Sequence, residues 1–157
     1  MALYQDILEA DSIDQPVRAA VLATEVMGRR TAITRQARPI ALLISWDEFI
    51  SLRETIELES NEATVAEIRA GEAELVRKEL ADGPEVENVV IARSAGPSVV
   101  LDELEELGRN PILGAPLLAS LRGLWVLRGN QRRVVYRINR DGSMVGVVHA
   151  AEVEERP

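Results

Sequence analysis

The stretch LRGLWVLRGNQRRVVYRINRDGSMVGVVHA, residues 121–150, decides how the second half of the chain folds. It breaks into three β-favouring runs, 121–128, 132–138 and 143–150, rich in Val, Leu, Trp and Tyr and separated by polar turns. Asp141-Gly142 between the last two is a strong short-range signal for a tight hairpin. Upstream, VENVVIAR (86–93) reads as another strand, and SVVLDELEELG (98–108) as a short helix with Val100, Leu104 and Leu107 on one face. NPILGAPL (110–117), with two prolines and a glycine, is a loop. The second half is therefore expected to be a small antiparallel sheet with one helix.

The same region is charged in one sense. Arg109, Arg122, Arg128, Arg132, Arg133, Arg137 and Arg140 follow one another without a single carboxylate between 109 and 140, in a chain of formal charge -8. Solvated faces normally mix signs, so the run reads as a polyanion-binding surface. Only one of the 18 bases is lysine, so the preference for arginine does not by itself argue for forked phosphate recognition. The remaining charge also falls in blocks. Residues 16–45 hold Arg18, Arg29, Arg30, Arg35 and Arg38 against Glu25, and residues 46–80 hold ten acids against Arg53, Arg69, Arg77 and Lys78. An acidic middle placed between two basic ends can screen them.

In the first half, DQPVRAAVLATEVMG (14–28) opens like a helix, with Asp14 as cap, Pro16 in the first turn, Ala19, Leu22 and Val26 on one face and Gly28 as stop. TAIT and RPIALLIS make residues 31–45 a hairpin about the turn Arg35-Gln36-Ala37. Ser45 and Glu48 have capping-box spacing for the helix WDEFISLRETIELES, whose Trp46, Phe49, Ile50 and Ile56 can face a core. Residues 61–80 are helix-prone but thinly apolar: Val65, Ile68 and Leu75 form a narrow stripe interrupted by Gly71 and ringed with glutamates. Such a segment frays unless it docks on something. ADGPE (81–85) is the best domain boundary.

Composition excludes several classes. The chain of 157 residues is 46% hydrophobic, enough for a packed core, but only 3% aromatic, which leaves the interior to Val, Ile, Leu and Ala. With no cysteine there is no disulfide framework and no thiolate nucleophile, and with His149 as the sole histidine most metal sites are ruled out. No metal or cofactor is expected. Without a long apolar run or a basic N-terminal segment, neither a membrane span nor a secretory signal is expected, and the protein reads as cytoplasmic.

TAITRQARPIALLISWDEF (31–49), preceded by PVRAAVLATEVMG and followed by LRETIEL, resembles the Phd/YefM family of antitoxins over about residues 14–60. The resemblance implies a dimeric DNA-binding domain followed by a tail that wraps a partner toxin. The family's hairpin turn carries glycine where this chain has Ala37, which points to a wider turn. LDELEELGRNPILGAPLLASLRGLWVLRGNQRRVVYRI (101–138), followed by MVGVVHA, is similar to the RelE/ParE toxin superfamily, whose members cleave messenger RNA on the ribosome or poison DNA gyrase. Two departures stand out. Residues 95–109 have room for one helix where the family places two, and Ala150 and Glu154 stand where RNA-cleaving members carry an arginine and a tyrosine. Metal-free RNA cleavage needs charge stabilisation on phosphate together with acid–base groups. Arg128 and Arg133 match the family's phosphate-facing arginines; His149 is the one acid–base candidate near neutral pH, and Tyr136 matches a packing residue.

The expectation is an α+β chain: residues 1–60 a helix-hairpin-helix dimerisation and DNA-binding domain, 61–83 an acidic neutralising helix and linker, 84–157 a shortened RelE/ParE-like domain. Arg18, Arg29, Arg30, Arg35 and Arg38 are the expected DNA contacts. Val65, Ile68 and Leu75 are expected to cover the toxin-like sheet while Glu67, Glu72 and Glu74 oppose its arginines. The resulting function is a toxin–antitoxin fusion that represses its own transcription by binding operator DNA as a homodimer, with its toxin domain neutralised or degenerate. The alternatives are a ribosome-dependent endoribonuclease inhibited in cis, with Arg128, Arg133 and His149 catalytic, and a protein-binding module directed at gyrase or at a separate toxin or antitoxin.

Overall fold

The computed structural model describes residues 6, 8–83, 85–129 and 131–153. The chain is α+β and divides into two compact units, one running to Ile50 and the other starting at Ser51. No helix among the described residues is long and apolar enough to cross a membrane.

The first unit contains α1 (Gln15–Met27), the hairpin β1 (Thr31–Arg35) and β2 (Arg38–Leu43), and the first turns of α2 (Trp46–Glu59). Pro16 sits in the first turn of α1 as expected, but the Asp14 side chain makes no capping hydrogen bond. Gly28 ends the helix in the left-handed conformation, φ 62°, which costs a residue without Cβ nothing. The hairpin turn is not widened by Ala37. Gln36 and Ala37 form a two-residue turn with both φ values positive, 50° and 62°, because that twist matches the twist of the strands it joins. A bulge between Ile33 and Thr34 then sets Thr34 opposite Pro39. The Ser45 hydroxyl accepts the Glu48 N–H at 3.1 Å, which caps α2, while the Glu48 carboxylate is drawn to Arg30.

Little of this unit is buried. Thr24 is the one buried residue of α1, its hydroxyl donating within the helix, and Leu22, Val26, Met27, Ile33, Ile40 and Leu42 are exposed. The stripe read from Ala19, Leu22 and Val26 is thus exposed. Trp46 and Ile56 are also exposed instead of facing a core.

The second unit holds the rest of α2, then α3 (Glu62–Val76), β3 (Val89–Ile91), α4 (Leu101–Arg109), β4 (Ala115–Pro116), β5 (Leu124–Arg128), β6 (Arg132–Ile138) and β7 (Val145–Glu152). Its five-stranded sheet has the order β3-β7-β6-β5-β4. The sheet is antiparallel except at one edge, where β3 runs parallel to β7. Parallel pairing needs a long crossover, and residues 92–144 supply it, carrying α4 and three strands before the chain returns.

Successive strand residues alternate faces, so the sheet has two cores. Leu104 and Leu107 of α4 pack with Val134, Tyr136, Val145 and Val147 on one face. Leu58 of α2 and Ile68 of α3 pack with Leu117, Leu121, Leu124, Val126, Val135 and Val148 on the other. The segment 81–85, where the sequence suggests a boundary, follows residues bonded to the sheet's edge. The Ala81 N–H donates to the Ile91 carbonyl and the Arg93 N–H to the Glu79 carbonyl, so the segment after α3 is bonded to β3 and its flank.

Candidate functional site

The arginine row is placed by strand register. Arg128 of β5 and Arg133 of β6 are directly paired across the strands, and Val135 is paired with His149 of β7. Arg133, Val135 and Arg137 therefore share a face, and that face carries the core closed by α2 and α3.

What faces Arg128, Arg133 and Arg137 is carboxylate, while Arg132 donates to the Ser98 carbonyl at 2.7 Å. Arg128 Nη1 donates to Glu54 Oε1 at 2.9 Å and to Glu57 Oε2 at 3.2 Å. Arg133 Nη1 lies 3.2 Å from Glu57 Oε1, an ion pair at close range without hydrogen-bond alignment. Arg137 Nη1 is 3.9 Å from Glu72 Oε1, and His149 Nδ1 is 3.3 Å from Glu67 Oε2. Glu54 is 1% exposed, and Arg53 also reaches it at 3.2 Å. Burial works against the Arg128 cation, but the Glu54 and Glu57 carboxylates more than offset it, and its pKa is raised above the usual arginine value. For His149 the balance is opposite. Burial lowers its pKa, Glu67 raises it and Arg133 lowers it again, so the imidazole pKa lies below its ordinary range.

The acidic helix is α3. Ile68 is fully buried, Leu75 packs against both cores and Val65 is half-buried. Glu67 and Glu72 lie by His149 and Arg137, and Glu74 Oε2 accepts the Ser94 N–H at 2.8 Å. Gly71, read as an interruption, is the point of closest approach: a Cβ there would lie 1.9 Å from the Val148 carbonyl oxygen.

The larger share of the charge cover is on α2, which the sequence assigned wholly to the first domain. Ser51, Glu54, Thr55 and Leu58 are the buried residues of that helix, spaced i, i+3, i+4, i+7. Three of these four are polar, so an apolar-periodicity reading passes over them. The usable signal was the spacing itself, with Glu54 and Glu57 one turn apart.

The other candidates lie elsewhere. Arg18 donates to the carbonyls of Ile13 and Asp11, and Arg30 pairs with Glu48, whereas Arg29, Arg35 and Arg38 are exposed and have no ion-pair partner among the described residues. The Tyr136 hydroxyl donates to the Pro111 carbonyl at 2.7 Å and accepts the Gly114 N–H at 3.1 Å. Burial pushes this phenol up to about 12, so it braces the 111–114 loop as a neutral group. Ala150 is buried opposite Val134, and Glu154 lies outside the described residues. Surface clefts of about 500 and 690 Å³ flank residues 85–87 and include neither Arg128, Arg133 nor His149 in their walls. Among the described residues no three His, Asp or Glu side chains are grouped to hold a metal ion.

No family model matches the chain, and no curated protein matches it. Among solved structures, a chain in the crystal structure of the toxin–antitoxin complex RelBE2 from Mycobacterium tuberculosis is similar at 22% identity and a TM-score of 0.36, over 43% of this chain and 98% of that one. Overlap of that extent carries no functional argument, and the chain's own geometry has to supply it.

Proposed function

We propose that this chain is a toxin–antitoxin fusion that works as a DNA-binding autorepressor, its toxin-like sheet neutralised by residues of the same chain. The observation that carries the reading is the carboxylate cover: Arg128, Arg133, Arg137 and His149 each face a glutamate drawn from residues 54–72. In terms of role, residues 1–60 bind DNA and dimerise, 61–83 neutralise together with the second half of α2, and 84–157 form the toxin-like part. Dimerisation is supported by the exposure of Leu22, Val26, Ile33, Ile40 and Leu42, apolar side chains of the kind a second copy would cover. DNA contact is supported by the exposed Arg29, Arg35 and Arg38 about the hairpin, and a cytoplasmic location goes with that reading.

A degenerate toxin is favoured by the state of the sole acid–base candidate. His149 is buried, has its pKa lowered chiefly by that burial and has a carboxylate at Nδ1. Its partner in the register is the apolar Val135, and the adjacent Tyr136 is committed to the core on the opposite face of the sheet. The retained Arg128–Arg133 pair supports the second reading, an endoribonuclease inhibited in cis. The test of the main reading is a gel shift with DNA from upstream of the chain's own gene. Binding should weaken with salt, and replacing Arg29, Arg35 and Arg38 by alanine should reduce the slope of log K against log salt by about 0.9 for each phosphate that is no longer neutralised. Absence of binding, or binding with an unaltered slope in the triple variant, would overturn it.

A further inference from the structure

The loop 117–121 is not part of the arginine row, yet both covering helices grip it. The Leu118 N–H donates to Thr55 Oγ1 at 3.0 Å, and the Ser120 N–H donates to Glu59 Oε1 at 3.1 Å. The Ser120 hydroxyl also donates to Glu59, and the Ser120 carbonyl accepts from Arg69 of α3. One residue, Ser120, is thus held by α2 through its N–H and hydroxyl and by α3 through its carbonyl. Between the two gripped amides lies Ala119, at φ 51°, a left-handed conformation that a residue with a Cβ adopts only when its surroundings impose it. Leu117 and Leu121, at the ends of the loop, are buried in the core that Leu58 and Ile68 complete.

We infer that loop 117–121 is the latch of an autoinhibitory cover: α2 and α3 open and close on the sheet as a single unit, and the latch binds only the segment attached to its own chain. The inference rests on the neutralisation reading and adds its mode of regulation. Withdrawing the helices would strip Leu118 and Ser120 of their amide partners and leave Ala119 in a conformation with nothing to enforce it. Opening is therefore coupled to loss of loop order, and partial lifting of either helix loses the grip on Ser120 that both share. A covalently attached segment competes at an effective concentration of about millimolar, so a free copy of the same helices does not displace it.

The test is hydrogen exchange on the full chain, which reads no DNA binding and no toxicity and so fails independently of the function proposed above. In the unaltered protein the amides of Leu118 and Ser120 should be protected to the same degree as each other and as those of Ile68 and Leu75 in α3, with which they open. Thr55→Val should speed exchange about tenfold, the loss of one hydrogen bond, not only at Leu118 but together at Ser120 and in α3 at Ile68 and Leu75. Thr55→Ser, which keeps the hydroxyl, should restore protection. A labelled peptide of residues 51–76 should not enter the intact chain. Fast exchange at Leu118 and Ser120 in the unaltered protein, a Thr55→Val effect confined to Leu118, or incorporation of the peptide would each overturn the inference.

Discussion

At the scale of single residues, the site is governed by the cost of burying charge. Glu54 is shut from water with Arg128 and Arg53 as its cations, and truncating one member of such a group leaves an uncompensated charge, which is worse than never having had the pair. The arginines that the sequence offers as phosphate ligands are thereby part of what keeps the unit folded. His149 carries the consequence that is simplest to measure. Its folded pKa lies below the ordinary value of about 6.5, chiefly through burial, so the unfolded chain takes up the proton first as pH falls. The stability this group allows is complete above about pH 6.5 and is lost as pH drops through that value toward the lowered folded pKa, at no more than about 1.4 kcal/mol per pH unit. Urea midpoints measured between pH 7.5 and 5.5 should fall for the unaltered protein and fall less for His149→Gln. Equal falls in both would show that His149 is not the group responsible.

At the scale of elements, the seam between α3 and β7 depends on a missing side chain. Gly71 lies so close to the Val148 carbonyl that a methyl group would meet its oxygen at 1.9 Å, and the obstacle is backbone, which cannot rotate aside. Gly71→Ala favours the isolated helix by about 1 kcal/mol, yet it should destabilise the protein by about 3 kcal/mol or more by forcing α3 off the strand. Thermal unfolding decides between the two signs, and a raised melting temperature would refute the close approach. The same residue shows what the sequence could and could not disclose. Val65, Ile68 and Leu75 announce a weak apolar stripe at helical spacing, of which Ile68 is fully buried and the other two half-buried. Gly71 in its midst looks like a defect, because close approach of two backbones is a tertiary fact with no local signature. Leu104 and Leu107, on a strongly two-sided helix, were legible for the ordinary reason of periodicity. Glu54 and Thr55 were not, since a buried polar residue resembles a solvated one until its partner, distant in sequence, is known. Trp46 and Ile56 failed in the opposite sense: apolar residues at plausible positions remain exposed. The strand in VENVVIAR was legible but its parallel direction was not, because its partner, β7, lies more than fifty residues away and nothing in that run specifies direction.

At the scale of the whole molecule, the buried apolar residues are unevenly shared. Every core hydrophobic among the described residues, from Leu58 to Ala150, belongs to the second unit, while the first buries Thr24 and exposes Leu22, Val26, Met27 and Trp46. The second unit therefore carries most of the stability, and the first is the one that stands to gain from a second copy. Within the second unit, two kinds of force hold α2 and α3 to the sheet, and salt separates them. Ion pairs at the partly exposed Glu67, Glu72 and Arg137 weaken when the Debye length shrinks to about 3 Å in 1 M salt. The contacts of Leu58 and Ile68 do not, and full burial of side chains of this size contributes about 1.5–3 kcal/mol each. A chain cut by protease within residues 82–85 should accordingly remain one particle on size exclusion at low salt and also at 1 M salt, and should come apart only in denaturant. Separation at 1 M salt alone would mean that charge, not the core shared by Leu58, Ile68 and the sheet, holds the cover in place.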